Sequence, residues 1–301
     1  MTRSQSEMPA PRGVRLAHDA MACTFELYLV GLDASRGQQV AWAAFDEVDR
    51  LEQMLSRFVP HSDIARVNAL APGQSVRVSA ETIECLQLAA KVYMETGGAF
   101  DIAFRSRKRA VGSDPAQTVT PLVFDPTSHA VGVQIANVAL DLGALGKGYA
   151  VDRVVALLHE WGVQAALVHS GQSTVYALGR QPDGSAWRVS LRRPDLQSVT
   201  LGTLELRDGA LSGSGQLLHG GHIIDPRTGQ PADALQATWA VAPSAALSDA
   251  LSTAFMVMTP DAIASLCGRW EGVSAILRPA SGTQPEWLCF GPAKPVSDAQ
   301  P

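Results

Sequence analysis

Apolar residues recur at helical spacing in several segments of the chain. In residues 37–58 they are Val40, Ala43, Ala44, Val48, Leu51, Met54 and Leu55, which share one face of a helix. Further helices are predicted over 79–98, 147–162, 244–258 and 261–270. Ser79 is the expected N-cap of the second helix, and Gly97 and Gly98 end it. Residues 62–70 predict a short helix that begins at Ser62 or Asp63.

Strands are predicted by alternation of apolar and polar residues and by short apolar runs. Residues 22–33 alternate, and 163–171 read as a buried strand. Further strand-like segments cover 174–179, 186–193, 201–212 and 273–279. Helices and strands are mixed without regular βαβ alternation, so we predict an α+β fold with largely antiparallel sheets.

Composition narrows the class of protein. The chain has 301 residues and a net charge of −5, which gives enough length for a sizeable core and argues against a nucleic-acid surface. Its 4 cysteines lie far apart and form no C-x-x-C pair, so neither a disulfide framework nor a zinc site is indicated.

The ends of the chain are polar and rich in Pro and Ser. We expect residues 1–17 and 286–301 to lack order, and residues 18–285 to form a single domain of two lobes. No segment has the length of an apolar signal or the roughly 18 apolar residues of a membrane span, so we expect a cytoplasmic protein.

A glycine-rich segment, DLGALGKGYAVD (141–152), precedes one predicted helix. Its glycines and Lys147 suit the binding of an anion at a helix N-terminus. A tight structural turn explains the same glycines equally well. The spacing matches neither a Walker A loop nor G-x-G-x-x-G.

An acidic residue and a hydroxyl residue share one face of the apolar helix over 244–258. Asp249 and Thr253 are four residues apart, and their oxygen atoms suit Mg²⁺. Taken alone, the pair is more simply explained by local hydrogen bonds within the helix.

Three other segments carry candidate chemistry. In TGGAFDIA (96–103) an aromatic ring lies beside a carboxylate. In GGHIIDPRTGQP (220–231) His222 is a candidate base, although a lone histidine beside an apolar run is more often structural, and Arg227 is interpreted as a brace for the turn. The basic cluster RSRKR (105–109) is most simply a solvated face.

In their order along the chain, these segments resemble the ApbE family, the FAD:protein FMN transferases, over residues 18–280. The similar segments are MACTFEL (21–27), LSRFVPHSDIARVN (55–68), TGGAFD (96–101), LDLGALGKGYAVD (140–152), HIIDPRTGQP (222–231) and SDALSTAFMVM (248–258). The resemblance implies an ApbE-like fold with an FAD cleft between two lobes.

The resemblance also implies a reaction. Such proteins cleave FAD at its pyrophosphate, attach the FMN half through a phosphoester to a threonine of a target protein, and release AMP. The target would be a protein such as a flavin-bearing redox or electron-transport subunit. Asp249, Thr253 and the carbonyl of Ala144 are implied Mg²⁺ ligands, and His222 is the implied base. The residues implied to contact FAD are Met21, Phe58, Ala99, Phe100, Asp101, Asp141, Lys147 and Asp225.

The chain departs from the family pattern in three places, one of which is the basic segment 102–138 where an aromatic-rich segment is usual. Gln172 and Ser173 stand where Gly and Asp are usual, and residues 212–221 lack the usual aromatic and arginine before His222. Two alternatives therefore stay open: a pyrophosphatase that splits FAD to FMN and AMP with water, and a non-catalytic FAD-binding protein.

Overall fold

The computed structural model describes residues 13–109, 122–192, 200–215, 223–280 and 287–295. The helices are α1 (Ala34–Leu55), α2 (Asp63–Asn68), α3 (Ala80–Glu95), α4 (Phe104–Arg109), α5 (Gly146–Glu160), α6 (Ala245–Phe255) and α7 (Pro260–Arg269). The strands are β1 (Gly13–Ala20), β2 (Cys23–Val30), β3 (Ser75–Arg77), β4 (Leu122–Asp125), β5 (Ala130–Val133), β6 (Ala166–Ser170), β7 (Thr174–Leu178), β8 (Trp187–Arg192), β9 (Thr200–Leu206), β10 (Gly209–Gly215), β11 (Leu235–Ala242), β12 (Ser274–Pro279) and β13 (Leu288–Phe290).

One large sheet organises the fold. Its strand order is β1-β2-β6-β7-β10-β11-β12-β13, and every pair in it is antiparallel. The main core joins one face of this sheet to the helices, and the β8–β9 ribbon covers part of the other face with a second apolar cluster around Trp187 and Trp239. This arrangement confirms the predicted α+β class with antiparallel sheets.

Helix starts follow the side-chain chemistry that the sequence predicts. Ser79 accepts a hydrogen bond from the backbone N–H of Thr82, and Ser62 accepts one from Ala65. Ser62, rather than Asp63, is therefore the cap of α2. Each cap satisfies one of the backbone donors that a helix leaves unpaired at its N-terminus.

Both ends of the chain contribute strands to the sheet. Strand β1 begins at Gly13, within the segment 1–17 that we expected to lack order, and pairs with β2 along its whole length. Strand β13 lies within 286–301 and pairs with β12. In both places the edge of an existing strand offers hydrogen bonds that a polar composition does not reveal. No helix in the described parts of the chain is both long enough and apolar enough to cross a membrane.

Helices α5 and α6 lie in unusually close contact. A Cβ atom added to Gly148 would lie 2.3 Å from the carbonyl oxygen of Ala245, so only glycine fits there. One turn further along α5, the Asp152 carboxylate accepts hydrogen bonds from the N–H groups of Ala245 and Ala246, at 2.6 and 2.9 Å. The carboxylate, which belongs to a neighbouring helix, thereby pairs two backbone N–H groups at the N-terminus of α6 and places its negative charge there. This contact fixes where α6 lies relative to α5.

We predict that Gly148→Ala separates these helices, because the new methyl group meets backbone rather than a movable side chain. Overpacking of this kind costs about 1–3 kcal/mol in the free energy of unfolding. Gly146→Ala is the matched control, because its nearest neighbour is the Leu142 Cβ at 3.6 Å. Urea unfolding should show a loss for the first variant only, and equal stability of the two variants would contradict the close contact.

Candidate active site

A cleft of about 1560 Å³ opens beside the N-terminus of α5. It exceeds the roughly 300–1,000 Å³ of common small-molecule sites, so it has room for a dinucleotide. The predicted site residues that line it are Ala99, Phe100, Asp101, Asp141, Ala144, Lys147, Asp249 and Thr253. In the described structure Met21, Phe58 and Asp225 do not line this cleft. His222 lies outside the described residues.

The first turn of α5 leaves one carbonyl group available at the cleft. The N–H of Gly146 donates to the carbonyl of Leu142 at 2.7 Å, and the N–H of Gly148 donates to Asp249 Oδ2 at 3.3 Å. Among the described residues, no backbone N–H, including those of α5, donates to the carbonyl of Ala144, which precedes the helix. That oxygen is thus not used by the helix. The Lys147 ammonium group donates to the carbonyl of Gly143 in the same turn.

Asp249 is a buried carboxylate that lines the cleft. Burial raises its pKa, whereas the positive charge of Lys147 and the N–H of Gly148 act in the opposite direction. Buried carboxylates are costly unless a cation or hydrogen bonds compensate them. The N–H of Gly148 is the one hydrogen bond to this carboxylate that the described residues show, and it is long at 3.3 Å.

The oxygen atoms at this end of the cleft suit a hard cation. A carboxylate from Asp249, a hydroxyl from Thr253 and a carbonyl from Ala144 are the ligand types that Mg²⁺ and Ca²⁺ take. The described residues contain no group of three or more His, Cys, Asp or Glu side chains that could hold a metal ion. A cation here would therefore depend on neutral oxygens and on substrate phosphates as well as on Asp249.

Asp141 holds two arginines at the rim of the cleft. Its Oδ2 lies 3.1 Å from Arg57 Nε and 3.3 Å from Arg105 Nε, while Oδ1 accepts the N–H of Gly143 at 3.0 Å. Arg105 belongs to the basic cluster 105–109, and it lines the cleft. The Arg105 side chain is 60% exposed, in agreement with a solvated face, but it also pairs with Asp141, a distant partner that sequence spacing does not reveal.

Phe58 lies at the same rim. Its side chain is 77% exposed, and the Arg57 guanidinium stacks over its ring at 4.1 Å from the centroid. Arg57 therefore links Phe58 to Asp141 without placing the ring inside the cleft.

The segment after α3 contains three of the predicted site residues, Ala99, Phe100 and Asp101. Gly97 and Gly98 adopt positive φ values and end the helix. The hydroxyl of Thr96 then accepts the N–H of Phe100 at 3.2 Å. Asp101 Oδ1 accepts the N–H of Ala103 at 2.8 Å, which fixes the turn that brings the ring and the carboxylate to the cleft.

The turn over 223–231 is braced by charge. Asp225 accepts hydrogen bonds from Arg227 Nε and Nη2 at 2.9 and 2.8 Å, and Arg227 also donates to the carbonyl of Val257. The bond from Arg227 is the main cause of the lowered pKa of Asp225. Arg227 thus braces the turn, as predicted, while Ile223 and Pro226 line the cleft.

Met21 occupies a tight turn between β1 and β2. Met21 and Ala22 have φ values of 50° and 59°, and their neighbours Ala20 and Cys23 pair directly. Two-residue hairpin turns of type I′ require positive φ at both positions, a conformation that costs energy for residues other than glycine. The Met21 side chain packs against the main core, and Cys23 lines the cleft.

Sequence reasoning missed Asp152 and left two other residues without a role. Asp152 lies four residues after Gly148, so helical spacing places both on one face, and that spacing was the available signal. Gln172 and Ser173, the departures from the family pattern, line the cleft. Their position in the cleft required the three-dimensional structure.

We predict that Asp152→Ala loses about 1–3 kcal/mol of unfolding free energy, because it leaves buried N–H groups of α6 without acceptors. The substitution should also weaken the binding of a cation at Asp249, because α6 loses the hydrogen bonds that fix its N-terminus. Asp33→Ala is the matched control: Asp33 caps α1 through the N–H of Arg36 and lies outside the cleft. Urea unfolding and Mn²⁺ titration measure both effects, and weakened Mn²⁺ binding in Asp33→Ala would contradict the role of Asp152.

Comparison with known proteins agrees with this architecture. The family model described as "ApbE family" matches residues 21–277. A protein of Klebsiella pneumoniae (strain 342) named FAD:protein FMN transferase is 26% identical over 283 residues, which cover 84% of this chain and 81% of the relative. Its name agrees with the predicted enzyme class, a transferase.

Solved structures give the same result. The apo form of Pseudomonas stutzeri flavinyl transferase ApbE is similar with a TM-score of 0.78 and 26% identity, covering 97% of this chain and 96% of the other. Flavin transferase ApbE from Vibrio cholerae has a TM-score of 0.78 at 20% identity, covering 93% and 97%. The match of the family model over most of the chain confirms the resemblance inferred from its motifs: this chain belongs to the ApbE family.

Proposed function

We propose that this protein transfers the FMN half of FAD to a threonine of a target protein through a phosphoester bond, with Mg²⁺, and releases AMP. One observation carries the proposal: Asp249, Thr253, Ala144 and Lys147 line a single cleft large enough for a dinucleotide. Family membership and the names of the relatives support the same reaction.

The metal fits the chemistry of this cleft. Asp249, Thr253 and the Ala144 carbonyl would hold Mg²⁺, which supplies neutralisation of the pyrophosphate charge. Lys147 adds a positive charge that opposes the larger effect of burial, which raises the pKa of the Asp249 carboxyl. Phosphoryl transfer depends mainly on such charge neutralisation and on alignment of the reacting groups.

Other residues of the chain bind and align the reactants. The segment from Ala99 to Asp101 offers an aromatic face and a carboxylate to the flavin nucleotide, and Arg105 adds a positive charge at the rim. The threonine oxygen forms a bond to the phosphorus of the FMN half, and the bond from that phosphorus to the oxygen of AMP breaks. His222 takes the proton of the threonine hydroxyl as general base.

A second candidate function is FAD binding without turnover. It is favoured by the presence of Gln172 and Ser173 in the cleft wall, where the family pattern has Gly and Asp. The amide and hydroxyl there carry no charge, whereas an aspartate would. Hydrolysis of FAD by water in the same cleft is the remaining alternative.

The deciding experiment incubates the purified protein with FAD, with and without Mg²⁺, and with a threonine-containing acceptor protein in one arm. We expect AMP release that requires Mg²⁺, and covalent flavin on the acceptor by mass spectrometry. AMP without labelled acceptor would indicate hydrolysis. Bound FAD without AMP in every arm, including arms with several acceptors, would indicate a binding protein.

Asp249→Asn should reduce Mg²⁺-dependent AMP release by about a hundredfold or more, because removing one charge-stabilising group from a reaction of this kind typically costs that much. Asp261→Asn is the matched control, because Asp261 is an exposed carboxylate at the start of α7 outside the cleft. AMP release and FAD affinity are measured for both variants. Equal rates in the two variants would contradict the assignment of Asp249.

A further inference from the structure

A chain of hydroxyl groups lies behind the proposed metal ligands. Ser214 Oγ, on β10, is 2.9 Å from Ser252 Oγ and 3.3 Å from Thr253 Oγ1, both on α6. Ser252 is fully buried and donates its own hydroxyl proton to the carbonyl of Asp249 at 2.9 Å. Ser214 and Thr253 both line the cleft.

Counting protons and lone pairs indicates which of these hydroxyl groups donates in each contact. A hydroxyl carries one proton and two lone pairs. When Ser252 donates its proton to the Asp249 carbonyl, Ser214 is the donor in the short contact between the two serines. The Ser214 oxygen is then an acceptor, and the hydroxyl beside it is that of Thr253.

The hydroxyl of Thr253 therefore has two acceptors within the protein. One is Ser214 Oγ at 3.3 Å, and the other is the carbonyl of Asp249 at 3.4 Å. The contact to Asp249 is the usual back-bond of a threonine in a helix. A proton given to either acceptor leaves a lone pair of Thr253 for the cleft, and a cation needs a lone pair rather than a proton.

We propose that Ser214 is a positioning residue that orients the Thr253 hydroxyl so that its oxygen lone pair faces the cation site. This inference rests on the proposed function, which makes Thr253 a metal ligand. Ser214 itself would not bind the metal. It would act as outer-shell partners of metal ligands generally do, whose loss costs about 10–100-fold in metal affinity.

The test measures Mn²⁺ affinity by electron paramagnetic resonance, without FAD or acceptor. Ser214→Ala should weaken Mn²⁺ binding by about tenfold or more, because Thr253 loses one of its two acceptors. Ser214→Thr keeps a hydroxyl at the same place and should restore the wild-type affinity. At saturating metal, AMP release by Ser214→Ala should approach the wild-type rate, since the defect lies in binding the metal.

Ser212→Ala is the matched control. Ser212 lies two residues earlier on β10 and also loses a hydroxyl–hydroxyl bond, to Thr174 Oγ1 at 3.1 Å, but it does not line the cleft. Its Mn²⁺ affinity should match the wild type. Thermal unfolding without metal separates loss of stability from loss of metal binding.

The outcomes distinguish this inference from the proposed function. Wild-type Mn²⁺ affinity in Ser214→Ala, or equal weakening in Ser212→Ala, would overturn the role of Ser214. If the wild-type protein binds no Mn²⁺, the assignment of the metal ligands and the role of Ser214 are both wrong. If the variants behave as predicted while the wild-type protein transfers no FMN to any acceptor, the proposed transfer fails and the role of Ser214 stands.

Discussion

The close contact between α5 and α6 is the constraint on which the rest of the site depends. Gly148 lets the two helices approach until a Cβ would overlap the Ala245 carbonyl, and Asp152 binds the N-terminus of α6. The first turn of α5 carries Lys147, while α6 carries Asp249 and Thr253. Groups a hundred residues apart in sequence therefore share one wall of the cleft.

This contact also sets the electrostatics of the site. Burial raises the pKa of Asp249, and Lys147 and the Gly148 N–H counteract that shift only in part. A buried carboxylate of this kind is costly in its charged form unless a cation or hydrogen bonds compensate it. Among the neutral oxygens around it, the Thr253 hydroxyl contacts Ser214 and the Asp249 carbonyl, whereas no backbone N–H among the described residues donates to the Ala144 carbonyl. One carboxylate with neutral oxygens nearby is a set that suits the proposed Mg²⁺, which would be shared with substrate phosphates.

Local patterns predicted most of the fold. Helical periodicity located α1, α3, α5, α6 and α7, since each buries one face or almost its whole surface in the main core. The family motifs predicted residues that the structure brings into one cleft, such as Asp101 and Asp249. Long-range relations were not predictable: the ion pair of Arg105 with Asp141 and the hydrogen bonds of Asp152 to α6 join segments whose distance in space no local pattern encodes. The strand positions at both ends of the chain escaped prediction for the same reason.

The most direct test of the account locates the cation. Crystals of the protein soaked in Mn²⁺, with diffraction data collected at an energy where manganese scatters anomalously, show where the metal binds. We expect an anomalous peak within coordination distance of Asp249, Thr253 and the Ala144 carbonyl. A peak elsewhere in the cleft, or none at Mn²⁺ concentrations that support AMP release, would contradict the claim that the contact of α5 with α6 builds the metal site.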